Sequence, residues 1–180
     1  AGKLMTTGIK NTIIGGLAGD AITTGSQNVA IGYNALTTED TGSRNVAIGE
    51  HSLANLDFNG NGYNVAIGYY SGQQITTGVE NTIVGGAAGD AITTGVGNTA
   101  VGYNALSTED ANGKNTAIGR AALNALNAGA DAYNVAVGYN AGVDMSTGTY
   151  NTLVGGLAGD ALTSGVGNVA VGYQALSSED

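Results

Sequence analysis

Cysteine, proline and tryptophan are absent from these 180 residues, phenylalanine occurs once, and only 11% of the chain is charged. Without cysteine there can be no disulfide and no thiolate metal site, although that leaves the compartment open. Lys3, Lys10, Arg44, Lys114 and Arg120 are the only cations, and the net charge is −9. This balance speaks against nucleic acid and against an anionic membrane face, since both require a basic patch. No apolar run approaches the roughly 20 residues of a membrane-spanning helix. What is present in quantity is small: 32 glycines, and an apolar fraction made mostly of Ala, Val and Ile. Such side chains cannot fill a thick globular core, but they suit thin stacked layers.

The layers are written into the chain as a repeated phrase, seen at Asn28 to Gly32 as Asn-Val-Ala-Ile-Gly. Its variants begin at Asn11, Asn28, Asn45, Asn64, Asn81, Asn98, Asn115, Asn134, Asn151 and Asn168. Successive starts lie seventeen apart, except from Asn45 to Asn64 and from Asn115 to Asn134, where they lie nineteen apart. A longer period lies on top, because Asn11 to Asp20 returns as Asn81 to Asp90 and again as Asn151 to Asp160. The chain is therefore one array, with units 11–80, 81–150 and a partial 151–180, preceded by a tail 1–10 that matches the end of a unit. Repeat proteins usually cap their terminal units, and no atypical end repeat is visible, so the array reads as a segment of a longer one.

We number each repeat from its Asn as position 0. Position +1 is Val or Thr, +2 is Ala, Ile or Leu, and +3 is Ile or Val, which predicts a short strand with two apolar faces, both buried. Gly at +4 in every copy, including Gly32, Gly102 and Gly172, then ends the strand. Three residues before each Asn stands Gly, or else Asn61, Asn112 or Asp131, which predicts a corner with positive φ. A second strand is expected over +7 to +12, for example at 18–23 and 88–93, with its fillers at +8 and +11. Two strands and two corners in each short repeat make one turn of a narrow parallel β-solenoid, with rungs ~4.8 Å apart. The asparagines, Asn28, Asn98 and Asn168 among them, are structural in this reading, either as an amide ladder or as local turn contacts. One coil alone buries few aliphatic groups, and the second apolar strand face predicts association of parallel copies.

The phrases Asn28 to Leu36, Asn98 to Leu106 and Asn168 to Leu176 resemble the head repeats of YadA-like trimeric autotransporter adhesins and, equally, repeats of bacteriophage tail-fibre proteins. The resemblance spans essentially the whole chain. It implies an all-β, left-handed parallel β-roll, three chains to a fibre, on a bacterial or viral surface and used for attachment. The repeat is longer than the usual head repeat of the adhesins, and the stalk and membrane anchor of that family have no counterpart here. No catalytic or ligand residue comes with the pattern.

The residues that could carry chemistry mostly recur, which argues against catalysis. Gly15 to Ile22 and its copies approach a calcium-binding nonapeptide, making Asp20, Asp90 and Asp160 weak calcium candidates. That motif works in tandem, however, whereas this one returns only once in each long unit. The pairs Glu39-Asp40, Glu109-Asp110 and Glu179-Asp180 could be mistaken for glycosidase carboxylates. They recur every four rungs, roughly 19 Å apart, and read instead as a solvated acidic band that keeps the fibre soluble. His51 is the only histidine and a lone one, which disfavours a triad or metal site. The tyrosines at +5, such as Tyr33 and Tyr103, are expected to pack at an interface in preference to binding sugar.

The two lengthened repeats differ from one another, and insertions in solenoids form surface loops where recognition resides. Phe58, Asn59, Asn61, Asn127 and Asp131 are the candidate contact residues, with Phe58 as the anchor and a helical turn expected near 124–131. The sequence therefore predicts a non-enzymatic attachment fibre, extracellular, on a cell surface or on a virion. Its expected partners are further copies of itself, as a homotrimer or end to end, and a cell-surface glycan or protein receptor. It predicts no cofactor, no nucleic acid and no membrane insertion of this segment. Alternatives are a self-assembling filament and a calcium- or ice-binding solenoid; ice binding would want a regular Thr array, which Glu39-Asp40 and Leu56-Asp57 interrupt.

Overall fold

The computed structural model describes residues 1–178 and shows ten short strands in one parallel sheet. They are β1 (Thr12–Ile14), β2 (Val29–Ile31), β3 (Val46–Ile48), β4 (Val65–Ile67), β5 (Thr82–Val84), β6 (Thr99–Val101), β7 (Thr116–Ile118), β8 (Val135–Val137), β9 (Thr152–Val154) and β10 (Val169–Val171). Each pairs with the next in strict register, +1 on +1 and +3 on +3, including across both lengthened repeats. The chain is a β-solenoid in which every repeat is one rung. The third acidic pair, Glu179-Asp180, lies outside the described residues.

Only one of the two expected strands forms. Positions +7 to +12 are turns and bends, and the cause is the backbone: +6 and +8 are left-handed in all ten rungs, with φ between 48° and 60°. A strand cannot contain such residues. Many of them are not glycine: Leu36, Leu106, His51 and Tyr70 all have φ near 55°, at a cost of about 1–2 kcal/mol each. The neighbouring rung holds them there, as when Leu36 N–H donates to the Ser52 carbonyl at 3.0 Å and His51 N–H to the Tyr33 carbonyl at 2.9 Å.

The expected corner also moves. The glycines three residues before each Asn do not have positive φ; the left-handed residue is the one just before the Asn, from Lys10 (61°) to Gly167 (72°). Glycine is needed at −3 for a different reason, which is close approach: a Cβ built on Gly78 would lie 2.5 Å from the Gly95 carbonyl oxygen. At +4 both demands coincide, since φ is 126° to 149° and a Cβ on Gly85 would lie 2.5 Å from the Gly102 oxygen.

Position +2 faces the interior and is buried in β2 to β10. Opposite it lie +7, always buried Ala or Ser through Ala158, and the fillers at +8 and +11. Volume is balanced within the rung or by its neighbour: Gly72 and Gly142 stand in rungs with Ala at +2, and a Cβ there would meet Leu53 or Leu123 of the rung before at 3.2 and 2.9 Å. Rungs with Ile13, Ile83 or Leu153 at +2 carry Gly at +8, and a Cβ on Gly89 would meet Ile83 and Ile92 at about 3 Å, so the larger strand residue fills the gap. The outer face is not covered within the single chain: +1 and +3 are half-buried or exposed throughout, Ile14 at 58% and Val171 at 69%.

Candidate functional site

Asparagine at position 0 makes the ladder, and it does so through the backbone. Its Oδ1 accepts the backbone N–H of the next Asn at all nine steps, at 2.9–3.2 Å. Its Nδ2 donates to the −3 carbonyl of the next rung, as from Asn28 to Gly42 (2.8 Å), Asn81 to Gly95 (2.8 Å) and Asn98 to Asn112 (3.1 Å). The exceptions are Asn45 and Asn115, which turn back to Ser43 and Gly113 of their own rung. Each stands just below an inserted loop. Asn28 and Asn98 are buried and Asn168 half-buried, while Gly32, Gly102 and Gly172 end their strands, so these six residues are structural in place as well as in pattern.

The acidic pairs are split by the fold, contrary to the expected solvated band. Asp40 and Asp110 are exposed, but Glu39 and Glu109 fall at +11, the filler position, and are fully buried. Burial raises the Glu39 carboxyl from 4.5 to about 6, and Asp57 nearby adds to the rise. Its Oε1 accepts the Gly42 N–H at 2.6 Å and its Oε2 accepts the Phe58 N–H at 3.4 Å. Glu109 is raised by burial too; its Oε1 accepts from Asn112 Nδ2 at 2.9 Å. These glutamates therefore stand at the base of the two inserted loops, a role that the exposed partner Asp conceals in the sequence.

The loops contain no helical turn near 124–131. Phe58 is half-buried against the core and its ring lies over Gly60, so it closes the solenoid wall as well as marking the surface. Asn59, Asn61, Asn127 and Asp131 are exposed. Asn59 accepts the Thr41 hydroxyl, and Asp131 pairs with Lys114, which holds its carboxyl below the usual range. Arg44 plays the matching part in the first unit, donating to the Tyr63 hydroxyl and to Gln27 Oε1.

The weak calcium candidates are dispersed. Asp20 Oδ1 accepts the Thr37 hydroxyl at 2.6 Å, whereas Asp90 Oδ1 and Asp160 Oδ1 are buried without a hydrogen-bond partner. Among the described residues no group of three His, Cys, Asp or Glu side chains converges in a geometry for a metal ion. Ice binding would need free threonine hydroxyls, but Thr23 and Thr93 donate theirs to Asp40 and Asp110 in the neighbouring rung.

What the rungs do bring together is aromatic. The +5 and +6 side chains stack in a column just past the strand-ending glycine. Tyr33 and His51 meet edge to face at 5.8 Å, while His51 with Tyr70 (4.8 Å) and Tyr69 with Tyr70 (4.3 Å) pack at a tilt. The same column in the second unit carries Arg120 over the rings of Tyr103 (6.0 Å) and Tyr139 (5.4 Å). No pocket opens among the described residues. In comparisons with protein-family models, with curated proteins and with solved structures, the chain matches none.

Proposed function

We propose that this chain is a segment of a trimeric attachment fibre. The observation that carries the reading is the outer face of the sheet. Val29, Ile31, Val46, Ile48, Val84 and Val101 belong to a continuous aliphatic strip that the single chain leaves only half covered. Contiguous exposed apolar surface of this length marks an association site. In parallel, in-register copies each rung would meet its own counterpart, so the strip would be matched to itself at every level. The residue resemblance to adhesin heads and tail fibres gives the same arrangement. The rest of the molecule serves display: the rung stack makes a stiff rod, the net charge of −9 keeps rods apart, and the inserted loops differ between units while the strands keep their pattern. This supports a non-enzymatic role outside the cell or on a virion, in contact with a surface receptor.

The test is binding by the labelled chain to cells and to arrayed glycans and proteins, alongside the double variant Val46→Lys/Ile48→Lys. Both substitutions lie on the outer face and leave the interior untouched. The reading predicts saturable binding that falls at least about tenfold in the variant, because avidity is lost with the trimer. Binding unchanged by the double substitution contradicts the trimer, and failure to bind any surface contradicts attachment.

A further inference from the structure

We infer that the aromatic column of the first unit, Tyr33, His51, Tyr69 and Tyr70 with Glu50 at its rim, is a binding platform for a neutral saccharide. The inference rests on the attachment reading and gives it a ligand class. Three observations carry it.

The first is departure from the repeat. Tyr at +5 returns along the array, but an aromatic residue at +6 does not: His51 and Tyr70 correspond to Ala121 and Asn140 one unit later. A structural requirement of the rung would return in the next unit, and this one does not. Residues 51 and 70 are held by the same left-handed backbone as Ala87 and Ala121, so the fold does not call for rings there.

The second is that, among the described residues, no cation lies over Tyr33, Tyr69 or Tyr70. Arg120 lies over Tyr103 and Tyr139 in the second unit, while the equivalent position in the first is Glu50, which is exposed and cannot make that contact. Tyr33 and Tyr69 are 51% and 58% exposed, much as Tyr103 and Tyr139 are at 56% and 53%, so the units differ in the cation and not in exposure. The column lies beyond the bend at Gly49 and Gly68, off the aliphatic strip assigned to the trimer.

The third is the match of chemistry. The platform crosses three rungs, about 10 Å at ~4.8 Å per rung, with apolar ring faces edged by phenol hydroxyls, an imidazole and a carboxylate. A pyranose offers the complement, an axial C–H face that can lie on an apolar ring with hydroxyls around it to meet the polar edge. Glu50, within a chain of −9, disfavours uronic, sialic or sulfated sugars.

His51 is the only histidine, so its imidazole proton resonances report this site and no other. The experiment is a titration of the full chain with cellotetraose, maltotetraose and chitotetraose, and with a tetrauronate as the acidic comparison, following the His51 signals by NMR. The expected result is a saturable shift with at least one neutral tetrasaccharide. Tyr70→Ala should weaken it about fivefold or more, an aromatic contact being worth that much. Tyr70→Phe should retain most of the binding. Glu50→Arg should weaken it by placing a guanidinium over the rings, and Asn140→Ala should change nothing. Ala already occupies +6 elsewhere, so the alanine variant folds; its circular dichroism confirms that independently. A silent His51 with all three neutral probes overturns the proposal, as does preference for the tetrauronate or binding that Tyr70→Ala leaves unchanged. If the chain attaches to surfaces while His51 stays silent, this site is wrong and attachment stands. If His51 shifts but no surface is bound, the site stands and attachment fails.

Discussion

At the scale of the residue, the solenoid depends on polar groups placed where a globular protein would put aliphatic ones. Asn81 is fully buried, accepts from the Asn98 N–H at 2.9 Å and donates to the Gly95 carbonyl at 2.8 Å. Asn81→Ala strands both, and each buried orphan costs about 1–3 kcal/mol. A loss of about 2–4 kcal/mol in urea unfolding is expected, and a loss below about 0.5 kcal/mol would show the ladder to be ornamental. Glu39 gives a second test, of unusual sign. Its folded carboxyl titrates near 6 against an ordinary 4.5, so the folded state binds the proton more tightly. The stability associated with Glu39 is therefore full below pH 4.5 and is lost as pH rises through 6, by about 2 kcal/mol. Glu39→Gln should remove that pH dependence, so that the difference between wild type and variant narrows on acidification; a difference that stays flat across the titration of Glu39 contradicts the burial. Neither role is fully legible in the sequence. Asn at position 0 is compatible with a ladder or a turn, and Glu39 beside Asp40 resembles an exposed pair because nothing local reveals which of two adjacent residues points inward.

At the scale of the element, the strand is legible in the sequence and the rest of the rung is not. Val, Ile and Thr alternating about a small residue, then an invariant glycine, specify β1 to β10 almost to the residue. The +7 to +12 segment also reads as extended, since its apolar spacing is correct for a filled interior. Its left-handed +8 position is Leu as often as Gly, and the left-handed +6 position just before the segment is never Gly, so the pair carries no consistent local signal; the stacked neighbour imposes the conformation. The glycines themselves divide by cause. Gly85→Ala meets both positive φ and the Gly102 oxygen, and should cost more than about 3 kcal/mol or prevent folding. Gly97 has φ 70° but only the Lys114 side chain, at 3.9 Å, near its missing Cβ. Gly97→Asn should stay within about 0.5 kcal/mol of wild type, as Asn tolerates this conformation. Equal effects of the two substitutions in denaturant unfolding would mean that close approach does not govern these positions.

At the scale of the whole molecule, the long period is visible in the sequence and its meaning becomes clear in the stack. It sets which rungs carry large strand residues, which carry the buried glutamate and which are lengthened, so that loops and acidic fillers recur together every four rungs. The candidate platform is where that period fails, and only placing His51 between Tyr33 and Tyr70 reveals it. The outer strip is the opposite case, with Ile or Val at +3 in every rung beside Val or Thr at +1, and it is only half covered by the fold. Trimerisation through that strip is the central claim, and light scattering after gel filtration tests it most directly, with and without a chelator. The account predicts one species near three times the 17.6 kDa chain, unchanged by the chelator. A stable monomer of 17.6 kDa would contradict it, leaving the strip without the partner that its regularity implies.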